Sequence, residues 1–226
     1  MSWPVSIIPI LSDNFVYIIH HGKKAIVIDP GQGQPVIDFL EKNKLTCSHI
    51  LITHHHSDHV GGVETLKEKY HPIVYAPAQE KNKFSFKANH YLTPEHEFEI
   101  DKIKFKVIDV SGHTLGHIAY WSVANEWLFS GDAIFSLGCG RIFEGTHAQT
   151  FSSLQRVKGL PIATKLYCAH DYFAKNRAFC ESLKLNVDGY SSVFPLSLEQ
   201  ELKYNPFLKS SHLSDFTLLR QKRDVF

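Results

Sequence analysis

The sequence has no long hydrophobic run. Its longest apolar stretches, such as Val5 to Leu11, are the size of a strand and too short to cross a bilayer as a helix. It has little cysteine, with four residues at 47, 139, 168 and 180 and no Cys-x-x-Cys pair. A chain of 226 residues needs no disulfide staples, so the thiols are read as reduced and cytosolic. It has no excess of charge of either sign. Twenty-four Lys and Arg against 23 Asp and Glu leave a net charge of +1, which removes the electrostatic case for nucleic acid or an anionic membrane as partner. The opening Met-Ser-Trp-Pro-Val-Ser lacks the basic start and apolar stretch of a secretory signal, so the expectation is a cytoplasmic protein. Repeats, low-complexity tracts and long linkers are absent too. With 43% apolar and 21% charged residues, the balance is that of an ordinary globular chain.

What the sequence does have in excess is histidine, 15 residues unevenly placed. The periodicity predicts strands at Val5–Ile10, Phe15–His20, Lys24–Ile28, Ser48–Thr53 and Ile73–Tyr75. Further strands are predicted at Glu97–Ile100, Lys102–Val110, His117–Val123, Glu126–Ser130 and Leu166–Cys168. Ala124-Asn125 reads as a hairpin turn, and the polar segment 80–96, with Pro94, as a surface loop. Helices are predicted from Pro35, over Val63–Tyr70 and from about Ala148 to Lys158. Beyond residue 170 the pattern is helical, around Ala174–Leu183, Ser197–Tyr204 and Ser214–Lys222, with no strand-like segment. Two domains are expected, residues 1–170 and a small helical one over 171–226.

The strongest motif is Thr53-His54-His55-His56-Ser57-Asp58-His59, which follows an apolar strand and runs into Gly61-Gly62. A His-x-His-x-Asp-His pattern arises by chance in only about three per thousand chains of this composition. His54 and His56, two apart in an extended loop, can converge on one ion, while Asp58 and His59 can serve a second ion beside it. Three further residues share one context, a polar residue just past a short apolar strand: His113, Asp132 and His170. Five histidines and two aspartates suit zinc, iron or manganese, and the lack of a cysteine ligand argues against copper(I) or an iron–sulfur cluster. Seven ligands are too many for one tetrahedral ion. They suit two ions about 3.5–4 Å apart with a shared carboxylate, for which Asp132 is the candidate. His55 and His117 read as supports of the loops rather than ligands.

These segments resemble the metallo-β-lactamase superfamily. Within it, Thr53–Gly62, Gly112–His117, Phe129–Phe135, Gly138–Thr146 and Cys168–Tyr172 are similar to the glyoxalase II (hydroxyacylglutathione hydrolase) family. The likeness runs from Ser12-Asp13-Asn14 to Arg220–Phe226, and Cys139-Gly140-Arg141, Asn205-Pro206-Phe207-Leu208 and the basic C-terminal helix are its more specific parts. The resemblance implies an α+β fold, a four-layer αββα metallo-β-lactamase sandwich with a small C-terminal helical domain. It implies one metal held by His54, His56, His113 and Asp132, and another by Asp58, His59, His170 and Asp132, most simply zinc. The implied activity is hydrolysis of S-D-lactoylglutathione and other 2-hydroxyacylglutathiones to glutathione and D-lactate, the second step of methylglyoxal detoxification. The glutathione-binding positions correspond to Arg141, Phe143, Tyr172, Arg220 and Arg223. Phe143 stands where the family usually has tyrosine, Arg141 and Arg223 where lysine is frequent, and the chain is shorter than usual between Tyr172 and Arg220.

A thioester suits such a centre, because two cations ionise a bound water near neutral pH and polarise the carbonyl. Asp58 is expected to orient the attacking group as well as bind metal. The leaving thiol ionises near about 8.5–9 and departs with little protonation. Three arginines can pair with the two carboxylates of glutathione. Three other classes compete. A mononuclear-iron persulfide dioxygenase-like oxidoreductase or a broader thioesterase on the same fold would use a related ligand set, a nuclease would need a basic exosite, and a non-catalytic relative would need a broken ligand set. The expectation is a monomeric hydrolase acting on a small-molecule glutathione thioester.

Overall fold

A computed structural model of the chain describes residues 3–226. It forms two compact units, one ending at His96 and one running Glu97–Phe226.

The first unit is a six-stranded sheet with helices. Strands β1 (Val5–Ile10), β2 (Asn14–His21) and β3 (Lys24–Ile28) form an antiparallel meander. Helix α1 (Gly33–Lys42) then crosses to β4 (Thr46–Leu51), and α2 (Ser57–Val60) with α3 (Val63–Tyr70) to β5 (Ile73–Pro77), so β3, β4 and β5 are parallel. Apolar residues from β2 to β5, among them Val16, Ile18, Val27, Ile50 and Val74, close on Val36, Ile37 and Leu40 of α1 and Leu66 of α3. Each such side chain removed from water contributes about 1.5–3 kcal/mol. The alternate residues Tyr17, Ile19, Ile26 and Ile28 are buried as well, as expected of strands that read as unbroken apolar runs.

The predicted surface loop over 80–96 is not one. It holds a 3-10 turn (Ala78–Lys83) and a short strand, β6 (His90–Leu92), parallel to β5 at the sheet edge. Asn89 prepares that pairing by accepting from the Val74 amide at 2.8 Å and donating its own amide to the Val74 carbonyl. An edge strand faces water on one flank, so its polar composition hid it.

The second unit carries β7 (Glu97–Ile100), β8 (Ile103–Asp109), β9 (Ile118–Ser122) and β10 (Trp127–Gly131), all antiparallel in sequence. The Ala124-Asn125 turn is a 3-10 turn, Val123–Asn125, completed by Glu126 at φ +56°. A two-strand hairpin follows, β11 (Ile134–Phe135) and β12 (Gly138–Cys139). Helix α4 (His147–Lys158) begins with a capping box between Thr146 and Gln149 and leads to β13 (Lys165–Cys168), parallel to β10.

The remaining chain forms α5 (Phe173–Ser182), α6 (Leu198–Tyr204), α7 (Pro206–Lys209) and α8 (Leu213–Asp224). It also supplies a strand that the sequence pattern did not show, β14 (Leu196–Ser197), antiparallel to β13. Two-residue strands such as β11, β12 and β14 are too short to display alternation. Phe179, Leu196, Leu198, Phe207, Leu208 and Phe216 of this segment share one core with Leu128, Leu166 and Cys168 of the sheet. No helix among the described residues is long and apolar enough to cross a membrane.

Candidate metal centre

Sheet direction sets where the polar loops emerge. In the first unit, Ile28 of β3 lies beside Leu51 of parallel β4 and beside Tyr17 of antiparallel β2. The start of β2 and the ends of β3 and β4 therefore share one edge, which collects Asn14, Asp29 and the loop from Thr53 to His59.

Asp29 organises this loop. Its Oδ1 accepts from the Thr53 amide at 2.8 Å, and its Oδ2 accepts from the Thr53 hydroxyl at 2.7 Å and from His59 Nδ1 at 3.0 Å. With the Thr53 proton committed to Asp29, Thr53 Oγ1 accepts from His54 Nδ1 at 3.1 Å. In its neutral form each of these two rings carries its proton on Nδ1 and a lone pair on Nε2. His54 Nε2 lies 3.1 Å from His56 Nδ1, and His59 Nε2 lies 3.7 Å from Asp58 Oδ2. Asp58 is oriented by Asn14, whose Nδ2 donates to Oδ2 at 2.9 Å. Donor atoms of His54 and His56, of His54 and His59, and of Asp58 and His59 fall within 4.8 Å of each other. His55 turns elsewhere, its Nδ1 2.9 Å from the carboxylate of buried Glu80.

In the second unit, Asp109 of β8 pairs with Ile118 of β9, and Gly131 of β10 with Cys168 of β13. Antiparallel β8, β9 and β10 and parallel β13 therefore bring three loops to one edge. His113, Asp132 and His170 emerge there, all buried. His113 Nδ1 donates to the Arg141 carbonyl at 2.7 Å, which leaves its Nε2 lone pair facing Asp132 Oδ2 at 3.2 Å. His170 Nε2 faces the other oxygen, Oδ1, at 3.3 Å. The His113 loop is clasped by backbone: the amides of Phe143 and Glu144 donate to the His113 carbonyl and that of Gly145 to Gly112. A Cβ on Gly140 would lie 1.9 Å from the Asp132 carbonyl, so only glycine passes there.

The donor set fits a metal. In both units a buried imidazole has its Nδ1–H anchored on an oxygen and its Nε2 turned to a carboxylate or a second ring. A neutral Nε2 beside a carboxylate leaves two acceptors face to face, which a cation between them satisfies. Anchoring of the distal nitrogen is the usual orientation device for metal-ligating histidine. Nitrogen and carboxylate donors without sulfur are those of a divalent ion of the zinc, iron or manganese kind.

The residues expected to contact substrate divide into two groups. Tyr172 lies flat on His170, ring centroids 4.8 Å apart and 8° from parallel, and Phe143 meets His113 edge-on at 5.2 Å. Arg141 is exposed, its guanidinium 5.5 Å from the Phe143 ring centre. Arg223 is half-buried against Phe179 and Phe226 and donates to Asn176 Oδ1 at 3.1 Å, and burial lowers its pKa. Arg220, expected at a cationic rim, is instead 4% exposed. It donates to the Cys139 carbonyl at 2.9 Å and pairs with Asp224 at 2.9 Å. A solvated helix-end charge would favour the dipole of α8, but Phe207 covers this one. Asp29, Asn14 and Glu80 are supporting residues not singled out from the sequence. The signal for Asp29 was its place directly after a strand parallel to the one preceding Thr53.

Residues 11–170 match the family model of the metallo-beta-lactamase superfamily. The crystal structure of the BLEG-1 B3 metallo-beta-lactamase superposes with a TM-score of 0.76 at 25% identity, over 92% of this chain and 100% of that one. The α+β architecture with two sheets and C-terminal helices is thus the metallo-β-lactamase fold. The hydroxyacylglutathione hydrolase of Bdellovibrio bacteriovorus is 42% identical, the match covering 97% of each chain. That of Methylobacillus flagellatus is 42% identical over 90% of this chain and 86% of its own. The chain belongs to the hydroxyacylglutathione hydrolase family of that superfamily.

Proposed function

We propose that His54, His56, Asp58, His59, His113, Asp132 and His170 are the ligands of two divalent ions, zinc being the simplest choice. The observation that carries this reading is Asp132, whose two oxygens each face the Nε2 of a different histidine. A carboxylate so placed would be available to two ions, with His113 and His170 as further ligands.

The chain is a metal-dependent hydrolase that cleaves 2-hydroxyacylglutathione thioesters, S-D-lactoylglutathione among them, to glutathione and the hydroxy acid. Ions bound there supply Lewis acidity toward the thioester carbonyl and lower the pKa of water. The protein's part is placement. Asp58, steered by Asn14, orients the attacking water, and Asp29 and the Arg141 carbonyl hold the His59 and His113 rings in register. Tyr172 and Phe143 offer ring faces and edges to the substrate beside His170 and His113. Arg141 and Arg223 are assigned to the glutathione carboxylates, in which a guanidinium can pair bidentately. In this reading residues 171–226 form a substrate-binding segment on a catalytic part of 1–170. The four cysteines, buried and unbridged, fit a reducing cytoplasm. The hydrolase names of the relatives do not favour the persulfide dioxygenase alternative.

Thiol release from S-D-lactoylglutathione, from a simple thioester lacking the peptide carboxylates, and β-lactam opening can be compared on one preparation. The glutathione thioester should be preferred by at least tenfold in kcat/KM. His56→Ala should lose metal and activity together. Equal rates on both thioesters would remove the glutathione assignment, and activity surviving metal loss would remove the centre.

A further inference from the structure

We propose that Phe135 is a positioning residue for the reaction, its ring setting His170 and Tyr172 together as one stacked pair. The inference rests on the reading of His170 as a metal ligand and of Tyr172 as a substrate contact. Phe135 ends β11 and is buried. Parallel pairing of β10 and β13 brings it to His170: the Ala169 amide donates to the Gly131 carbonyl at 3.1 Å, so the residues leaving the two strands emerge side by side. His170 and Tyr172 stack with ring centroids 4.8 Å apart. Phe135 meets both rings in T-shaped contacts, at 5.7 Å and 79° to His170 and at 5.0 Å and 74° to Tyr172.

Oxygen acceptors steer the Nδ1 atoms of His54, His59 and His113. A phenyl ring offers no such acceptor, so it sets the plane of an imidazole and not its tautomer. Stacking alone lets two rings tilt or slide together. A third ring set across both removes that freedom, because turning either one presses it into Phe135. Each such aromatic pair is worth about a two- to tenfold factor in an equilibrium constant beyond its buried area. The restraint matters because a ligand set works only within about 0.5 Å and 10–20° of its geometry.

Phe135 can serve as a fixed stop because its own backbone is held. It pairs with Gly138 across the β11–β12 hairpin, and Leu137 turns the chain between them in the left-handed region at φ +56°. A buried turn must find partners for its polar backbone groups. Asn205 Nδ2 donates to the carbonyls of Phe135 and Gly138, at 3.2 and 3.0 Å, and Asn176 Nδ2 to that of Ser136 at 2.9 Å. Glu201 accepts from the Leu137 amide at 3.0 Å. Side chains of the C-terminal segment thus fix the hairpin, and the hairpin presents the phenyl ring to the two rings of the site.

The test uses the full-length enzyme as wild type, Phe135→Leu and Phe105→Leu. The first exchange keeps apolar bulk and removes the ring. The second is the same exchange at a buried phenylalanine of β8 stacked on Phe98. Chelator competition reads the affinity of each of the two zinc ions, the cobalt-substituted visible spectrum reports ligand geometry, and the melting temperature of the metal-stripped protein reports stability. Phe135→Leu should bind one ion about fivefold more weakly, with the other within about twofold of wild type, and shift the cobalt spectrum. At saturating zinc its KM for S-D-lactoylglutathione should rise about threefold or more. Phe105→Leu should melt lower with both affinities, the spectrum and KM unchanged. Wild-type metal binding in Phe135→Leu with KM raised would overturn the claim for His170, and weaker metal binding with KM unchanged the claim for Tyr172. Equal weakening of both ions, or lower melting alone, would make Phe135 purely structural. Should Phe135→Leu not fold, the same readouts on Phe135→Met decide by the same criteria. His170→Ala, if it holds two zinc ions as tightly as wild type, would instead remove the ligand reading, a result independent of the Phe135 series.

Discussion

Asp29 Oδ2 accepts a hydrogen bond from His59 Nδ1 at 3.0 Å while also holding the Thr53 hydroxyl at 2.7 Å. One carboxylate at the end of β3 thereby fixes the tautomer of His59 and, through Thr53, that of His54. In Asp29→Asn an amide nitrogen at the Oδ2 position would meet two donors. The ring would answer by moving its proton to Nε2 and losing the lone pair that binds metal. Metal affinity should fall about 10–100-fold, measured by chelator competition, and wild-type affinity would dismiss the tautomer account.

His55 sits inside the histidine run but is turned to Glu80. His55→Ala should keep the full metal content of the wild type by elemental analysis. It should unfold more easily, by about 1–3 kcal/mol in urea, because a buried carboxylate loses one of its hydrogen-bond partners. Loss of metal instead of stability would return His55 to the ligand set.

Gly140 and Gly22 offer a contrast between close approach and backbone conformation. A Cβ at Gly140 would lie 1.9 Å from the Asp132 carbonyl, whereas Gly22, at φ +58°, has nothing within 4 Å of its Cβ position. Gly140→Ala should cost about 3 kcal/mol, through overpacking, and impair metal binding. Gly22→Ala should cost only about 1 kcal/mol, through left-handed strain, and leave metal binding intact. Comparing urea midpoints and metal stoichiometry of the two variants checks both statements.

Glu201 is fully buried and accepts from Tyr190, Asn205 and the Leu137 amide, yet burial outweighs these bonds and pushes its pKa up to about 7. The folded state therefore holds a proton that the unfolded state, with an ordinary carboxyl near 4.5, has released. Its stabilising contribution is present in full below the unfolded pKa and is lost as pH rises through about 7, a difference of about 3 kcal/mol. Glu201→Gln, a mimic of the protonated form, should be more stable than wild type at pH 8 and close to it at pH 4.5, by denaturant midpoints. A constant difference across that range would show that Glu201 does not titrate there.

The strands that matter for the site were legible because their alternation or unbroken apolar runs are long enough to read. Val5–Ile10, Lys24–Ile28 and the end of Leu166–Cys168 stand as predicted. The ligand candidates were legible because histidine and aspartate directly after such strands have few reasons to be there. The hairpin at 134–139 and the strand at Leu196–Ser197 were not legible, being too short to carry a period. Asp29 was not singled out because its partners are 24 and 30 residues away, brought close by parallel pairing of β3 and β4.

The sequence by itself determined the kind of chemistry: a donor set of imidazoles and carboxylates, and its attachment to the ends of strands, are local properties of residue type and spacing. Only the tertiary structure decided which nitrogen of His54, His59 and His113 is bare and which way His55 faces. It also decided that Arg220 points inward to a carbonyl 81 positions earlier in the chain. Proton placement and side-chain direction depend on partners that sheet pairing and helix packing bring together, and one-dimensional spacing carries no record of them.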